Sequence, residues 1–363
     1  MLSELSEQYQ KQLPFVAFRR PKGKTVKAIF QHTDELYTVT DFTESGFVFA
    51  PFDNTEKAIL IPFDGIRMSP IEKVDSNAMK TEIPTPSEAA HKQHLKLVEK
   101  AVTTIQNSAI EKIVLSRKEE INTTTDPFLL FERLREHYSN AFVYLWYHPK
   151  VGMWAGATPE TLVNARRNGI STMSLAGTQK FQEHAEITWN QKEEEEQQIV
   201  TDYIANRLQP ITTNLSVSKA ETHRAGSLVH LCAMITARMA ANVNIGDVIK
   251  ALHPTPAICG FPTEAAKSFI LQEEKYERKF YTGYLGELNI IEETSRNRNR
   301  KNQENSAYKT IRSYSELYVN LRCMELTDTK RILYVGGGIT KDSDPESEWQ
   351  ETLAKSQIMK RVL

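Results

Sequence analysis

The sequence predicts an α+β fold. Short apolar runs of period two are mixed with amphipathic stretches of helical period, and the two do not follow the strict β-α-β alternation of a doubly wound sheet. Neither heptads nor a repeat of ~20–50 residues is present, which sets coiled coils and solenoids aside. At the usual ~150 residues per domain, a chain of 363 residues has room for one core or two.

From Phe15 to Ile71 the chain reads as alternating runs, among them Val26-Lys27-Ala28-Ile29-Phe30 and Gly46-Phe47-Val48-Phe49-Ala50, broken by Asp, Asn, Pro and Gly. This is a β-rich opening. After Pro84-Thr85-Pro86 the apolar spacing turns helical, with Ser87 placed as N-cap of a helix reaching Asn107. Lys112-Ile113-Val114-Leu115-Ser116-Arg117 is a strand whose period puts Lys112, Val114 and Ser116 on one face. Ala141–Tyr147 and Gly152–Ala155 predict a further strand pair, the second running into Gly156-Ala157-Thr158-Pro159-Glu160. Helices are expected over Asn190–Leu208 and Gly226–Ala241. Tyr281–Ile290 and Glu316–Met324 read as two strands, joined by the Arg-, Asn-, Lys- and Gln-rich connection Thr294–Thr310, expected to be a mobile surface loop. That connection could meet a phosphate or nucleic acid, but its one aromatic residue, Tyr308, makes no stacking platform. A last strand, Arg331–Val335, leads through Gly336-Gly337-Gly338-Ile339 to a helix opened by Ser343-Asp344-Pro345-Glu346-Ser347.

Composition narrows the function classes. With 40% hydrophobic residues, 25% charged residues and a formal net charge of -1, the chain resembles neither a disordered protein nor a nucleic-acid-coating one. Met1–Lys24 holds no apolar core of a signal peptide, and no stretch approaches the ~20 apolar residues of a membrane span, so a cytoplasmic protein is expected. Cys232, Cys259 and Cys323 are odd in number and form no C-x-x-C pair, which suits a reducing compartment and a core role.

The run Lys192-Glu193-Glu194-Glu195-Glu196 has the composition of a solvated helix face, yet its phase says more. Ile199, Val200 and Tyr203 form the apolar stripe; Glu193 and Glu196 continue it inward while Glu194 and Glu195 point to water. In the final helix Glu348, Glu351 and Lys355 share a stripe beside Trp349 and Leu353. Two such acidic pairs suit a hard cation such as Mg²⁺, which commonly takes one or two protein carboxylates. The alternative is salt bridges on a partly exposed face, with Lys355 pairing to Glu351. The triple glycine, read as a turn, would let backbone approach an anion, but it lacks the Lys-Ser/Thr of a P-loop and the spacing of a dinucleotide fingerprint.

Several strings then fall in one order: Lys112-Ile-Val-Leu-Ser-Arg117, Gly156-Ala-Thr-Pro-Glu160, Leu175-Ala-Gly-Thr178, His253-Pro-Thr-Pro-Ala257, Tyr281-Thr-Gly-Tyr-Leu-Gly286, Arg322, Gly336-Gly-Gly-Ile339 and Glu348-Trp-Gln-Glu351. From about Ser87 onward the chain resembles the chorismate-utilising enzymes, and within them the isochorismate synthases. The resemblance implies an anthranilate synthase component I-like fold, in which two antiparallel sheets pack face to face, flanked by helices, with the site between them. Residues 1–363 are then expected to form a single domain, β-rich over 1–86 and motif-bearing over 87–363.

The resemblance also implies roles. The position of Lys112 holds a lysine where water is the nucleophile and a glutamine where ammonia is, as in anthranilate synthases, so no glutaminase subunit is expected. Ala176 stands where aminodeoxychorismate synthases typically have a covalent lysine. The implied reaction is the Mg²⁺-dependent conversion of chorismate to isochorismate. Lys112 would take a proton from water attacking C2, and Glu160 would protonate the departing C4 hydroxyl. Glu196 and Glu351 are the implied metal ligands, with Glu193 and Glu348 bonding to metal-bound waters.

Arg322, with Tyr281 beside it, would take the enolpyruvyl carboxylate. Backbone N–H groups at Gly177 and Gly338-Ile339, with Lys355, would take the ring carboxylate, and Thr178, His253 and Thr255 would be wall residues. Gln197 is a departure, because many relatives have a histidine directly after the metal-binding glutamate. Salicylate synthases share nearly every quoted residue and carry the product on to salicylate and pyruvate; they are the alternative reading. A binding protein without catalysis would need neither Lys112 nor Glu160. The expected protein is a monomer that acts on a small molecule and binds neither nucleic acid nor membrane. Menaquinone and siderophore pathways are not told apart by these residues.

Overall fold

Large apolar side chains recur at every second position of the central strands, so each strand has one face for a shared core and one for flanking helices. The computed structural model describes residues 1–71, 85–180, 187–225, 228–295 and 309–363. The chain opens with α1 (Leu2–Gln10), β1 (Phe15–Arg19), β2 (Thr25–Phe30), β3 (Tyr37–Thr38), β4 (Gly46–Ala50), β5 (Ile59–Ile61) and β6 (Gly65–Pro70). It continues through α2 (Glu88–Gln106), β7 (Lys112–Asn122), α3 (Pro127–His137), β8 (Phe142–His148), β9 (Gly152–Thr158), β10 (Thr161–Arg166), β11 (Gly169–Lys180) and α4 (Gln191–Leu208). The remainder is β12 (Thr212–Val217), β13 (Glu221–Ala225), β14 (Leu228–Met239), α5 (Ile245–Leu252), β15 (Gly260–Phe261), α6 (Thr263–Glu273), β16 (Tyr284–Ser295), β17 (Lys309–Val319), β18 (Cys323–Leu326), β19 (Lys330–Ile339) and α7 (Pro345–Lys360).

Among the described residues these strands form a nine-stranded sheet, in the order β15-β7-β19-β18-β9-β8-β1-β2-β6, and a ten-stranded sheet, β12-β14-β11-β10-β17-β16-β4-β5-β3, with β13 paired to β14. The sheets meet through aromatic rings: Phe18 lies 5.3 Å from Phe47, Phe49 5.0 Å from Trp146 and Phe142 4.2 Å from Tyr318. The opposite positions feed other cores. Phe15, Ala17, Val143 and Leu145 pack under α3, and Val200, Ile204 and Leu208 of α4 pack with α5 on the ten-stranded sheet. Ile113, Leu115 and Ile339 pack against α2 and α6.

The structure revises three expectations. Residues 228–239 are the strand β14, not helix: Ile235 and Ala237 are buried while Met234 is exposed, the alternation of a strand paired to β11, β12 and β13. Its Ala, Leu and Met content favours helix locally, and sheet pairing overrides that preference. Gly336–Gly338 is no turn but part of β19, paired to Ser116, Leu115 and Val114 of β7. Glu316–Met324 is not one strand either; β17 ends at Val319, and β18 begins at Cys323 in the other sheet. Gly226 and the greater part of the connection predicted over Thr294–Thr310 lie outside the described residues.

Candidate active site

At one end of the sandwich β7, β19, β11 and β14 meet α4 and α7 around a cavity of about 330 Å³. Its lining includes Lys112, Glu160, Gly177, Glu193, Glu196, Tyr281, Arg322, Gly338, Glu348, Glu351 and Lys355. His253, Thr255 and Ile339 are not part of the lining: the His253 ring packs edge-on against Tyr284 at 5.1 Å, and Ile339, expected to offer its backbone N–H, is paired in β19 with Ile113 of β7 while its side chain joins the core under α2 and α6. His253 is the C-cap of α5, with its backbone N–H donating to the Ile249 carbonyl at 2.8 Å. Thr178 belongs to β11, but its side chain lies outside the described part.

Lys112 is the first residue of β7 and is 5% exposed. Its face also carries Val114 into the cavity, whereas Ser116 turns to Glu274 and Tyr276, with its hydroxyl 2.9 and 2.6 Å from them. The Lys112 ammonium makes an ion pair with Glu196. Gly338, across from Val114, leaves the space that the lysine fills, since a Cβ there would lie 2.7 Å from Lys112 Cε. A Cβ at Gly337 would lie 3.3 Å from Glu348 Oε2 and 3.8 Å from Glu351 Oε1, so the bare strand lets the α7 carboxylates approach.

Glu160 follows β9, where the Thr158 hydroxyl donates to the Val319 carbonyl at 2.6 Å and fixes the turn against β17. Burial raises the Glu160 carboxyl to about 7, against the lowering pull of Arg322 and Lys112. The carboxyl is therefore a proton donor poised near neutrality.

Arg322 sits where the chain crosses between sheets. Asn320, just before it, accepts from the Tyr144 hydroxyl at 2.7 Å and donates to the Phe280 carbonyl at 2.9 Å. Thr282 (φ 60°) and Arg322 (φ 48°) both occupy the left-handed region that β-branched and long side chains rarely adopt, and both line the cavity. Burial lowers the Arg322 guanidinium to about 10, which leaves it cationic at neutral pH.

His230 of β14 went unnoticed in the sequence because its stretch read as helix. It lines the cavity, with Nδ1 2.9 Å from the Gly177 carbonyl and Nε2 3.4 Å from an Arg322 nitrogen. Burial, then Arg322, lowers its imidazole to about 3, so the ring is neutral. The partners assign the tautomer: Nδ1–H donates to Gly177, and Nε2 accepts from Arg322. Gly177 has φ 69° at the break in the β11–β14 register between Ala176 and Gln179, a conformation glycine adopts without strain.

Two helices bring in the remaining carboxylates. Asn190 caps α4 in a reciprocal capping box with Glu193, and Gln179 Nε2 donates to the Glu193 carboxylate at 3.0 Å. On α7, Glu351 pairs with Lys355 at 2.6 Å, Lys355 donates to the Gly336 carbonyl at 3.0 Å, and the Ser343 hydroxyl donates to Glu348 at 2.7 Å. Among the described residues no three His, Cys, Asp or Glu side chains converge into a closed metal cage. A donor set of separate carboxylates fits a hard divalent cation held by one or two protein oxygens, with open positions for water or substrate. Glu196 and Glu351 could hold it.

Residues 63–294 match the family described as chorismate binding enzyme, and residues 311–361 match a second profile of that description. The chain belongs to the chorismate binding enzyme family. Isochorismate synthase DhbC of Bacillus subtilis is 27% identical over 343 residues, which is 86% of this chain and 79% of that protein. Isochorismate synthase MenF of Escherichia coli is 27% identical over 280 residues, 74% of this chain but 59% of MenF. The solved structure of MenF superposes with a TM-score of 0.76 over 96% of this chain and 88% of that one, at 21% identity. Anthranilate synthase component I from Streptococcus pneumoniae superposes with a TM-score of 0.67 over 95% of this chain and 89% of that one, at 17% identity. At those identities the likeness is one of fold. In this chorismate binding enzyme Gln197 is buried and turned from the cavity, donating to the hydroxyls of Thr201 at 2.8 Å and Ser174 at 3.1 Å.

Proposed function

We propose that the chain is an isochorismate synthase, which converts chorismate to isochorismate with Mg²⁺. The observation that carries this reading is one cavity holding both a buried lysine and a buried carboxyl that stays protonated up to about pH 7. Relatives named isochorismate synthase support it. Lys112, once released from its ion pair with Glu196 and once its ammonium has given a proton to solvent, takes a proton as the free amine from the water that attacks C2. Glu160 gives its proton to the C4 oxygen, so that this poor leaving group departs as water. Arg322, with its geometry fixed by His230, takes the enolpyruvyl carboxylate through a planar pair of N–H donors. Tyr281 is buried in the same wall and limits where that carboxylate can lie. Glu196 and Glu351 would hold Mg²⁺, and the bound cation would supply positive charge to offset the ring carboxylate.

The test is turnover in heavy-oxygen water. Attack by water at C2 predicts one labelled hydroxyl per isochorismate formed, with turnover lost in Lys112→Ala and in Glu160→Gln. Unlabelled isochorismate would mean that the C4 hydroxyl migrates within the molecule, and the roles given to Lys112 and Glu160 would fall.

A further inference from the structure

A second cavity, of about 260 Å³, lies on the outer side of Arg322. It shares Arg322 and Pro159 with the larger cavity, so one guanidinium is a wall of both. Its cations are Arg224 and Arg322, His137, His223 and Tyr138 stand around it, and among the described residues it is lined by no carboxylate. The topology produces this. β13 pairs antiparallel with β14 so that His223 stands directly opposite His230. Cross-strand partners project from the same face of a sheet. The His223 imidazole therefore continues outward the row begun inside by Arg322 and His230, whose nitrogens are 3.4 Å apart. β13 is held in that position by Trp189, whose indole N–H donates to the Thr222 hydroxyl at 2.9 Å just ahead of the α4 N-cap. His137, at the C-terminal end of α3, supplies another part of the wall.

We propose that this pocket is the outer mouth of the active site, where a small dicarboxylate docks against Arg224 and His223 before one of its carboxylates passes to Arg322. A low-dielectric cleft lined by one sign of charge concentrates counter-ions and speeds their association. The two carboxylates of chorismate fit such a mouth, so the identity of the ligand rests on the proposed reaction, while the anion preference rests on the lining alone. Arg322 borders both cavities, with one nitrogen donating to His230 in the inner wall, and this makes it the point of transfer.

His223 and Arg224 are exposed, so the double variant His223→Ser/Arg224→Ser leaves the core untouched. With chorismate at rising salt, the variant is expected to keep kcat within about twofold of the native value, to lose about tenfold in kcat/KM at low salt, and to show a flattened salt dependence. An unchanged kcat/KM and salt slope would overturn the proposal. A second arm does not need the reaction: malonate is titrated against the native protein and the Arg224→Ser variant, following the imidazole NMR signals of His137 and His223. Signals that move in the native protein and not in the variant support the mouth; signals that stay still in both overturn it. Malonate-dependent shifts in a protein that never consumes chorismate would leave the mouth standing and remove the proposed reaction.

Discussion

Glu160 shows how the role proposed for one side chain is tied to stability. Its carboxyl moves from the ordinary 4.5 to about 7 because folding strips it of water. Between those values the native state holds a proton that the unfolded chain has released, so this contribution to stability is full below 4.5 and is lost as pH rises through about 7. Glu160→Gln carries no such penalty. It is expected to abolish turnover and to stabilise the protein by up to about 3 kcal/mol at about pH 8, with the gain vanishing toward the ordinary carboxylate range. Urea melts of both proteins across that range check it. In the native enzyme turnover should fall as pH rises past about 7, since the acid is then spent. Gly338 is the other residue on which the site turns. Gly338→Ala sets a methyl 2.7 Å from Lys112 Cε, a flexible chain that can move aside, so the expected result is an unchanged Tm with kcat about a hundredfold lower. The sequence marked these glycines as special but gave the wrong reason. A turn and a bare strand look alike in composition; only the pairing with β7 shows which is present.

At the scale of elements, the helices that carry carboxylates were legible because their signals are local. Asn190 with Glu193, and Asp344 before Pro345, are start signals, and both helices begin there. The first turn of α4 carries Glu193 and leads into Glu196, so its cap bears on the site. Asn190→Ala is expected to cost about 1 kcal/mol of stability and to raise the Mg²⁺ concentration giving half-maximal rate, with kcat at saturating Mg²⁺ largely retained. Thermal melts and a Mg²⁺ titration of the rate check both parts, and equal Mg²⁺ requirements in the two proteins would contradict it. The strands were less legible. β14 hid His230 because its residues favour helix in isolation, and the crossing at Asn320–Arg322 is specified by partners distant in sequence, Tyr144 and Phe280. The left-handed φ of Arg322 leaves no mark in composition.

At the scale of the whole molecule, the site exists because two sheets bring together segments far apart in the chain. Lys112 stands on one, Gly177 and His230 on the other, and α4 and α7 close the end with their carboxylates. The α+β class followed from the mixture of periods, and the two-sheet plan followed from ordered motifs shared with a family; neither could say that His253 and Thr255 are not part of the cavity lining, because that depends on how α5 packs on the far sheet. The measurement that bears most directly on the central claim is incubation of the purified protein with chorismate, with and without Mg²⁺, with products separated by chromatography and pyruvate assayed in the same samples. Accumulation of isochorismate only with Mg²⁺, without pyruvate, is the predicted result. Chorismate left intact under every condition, or converted to salicylate with release of pyruvate, would contradict it.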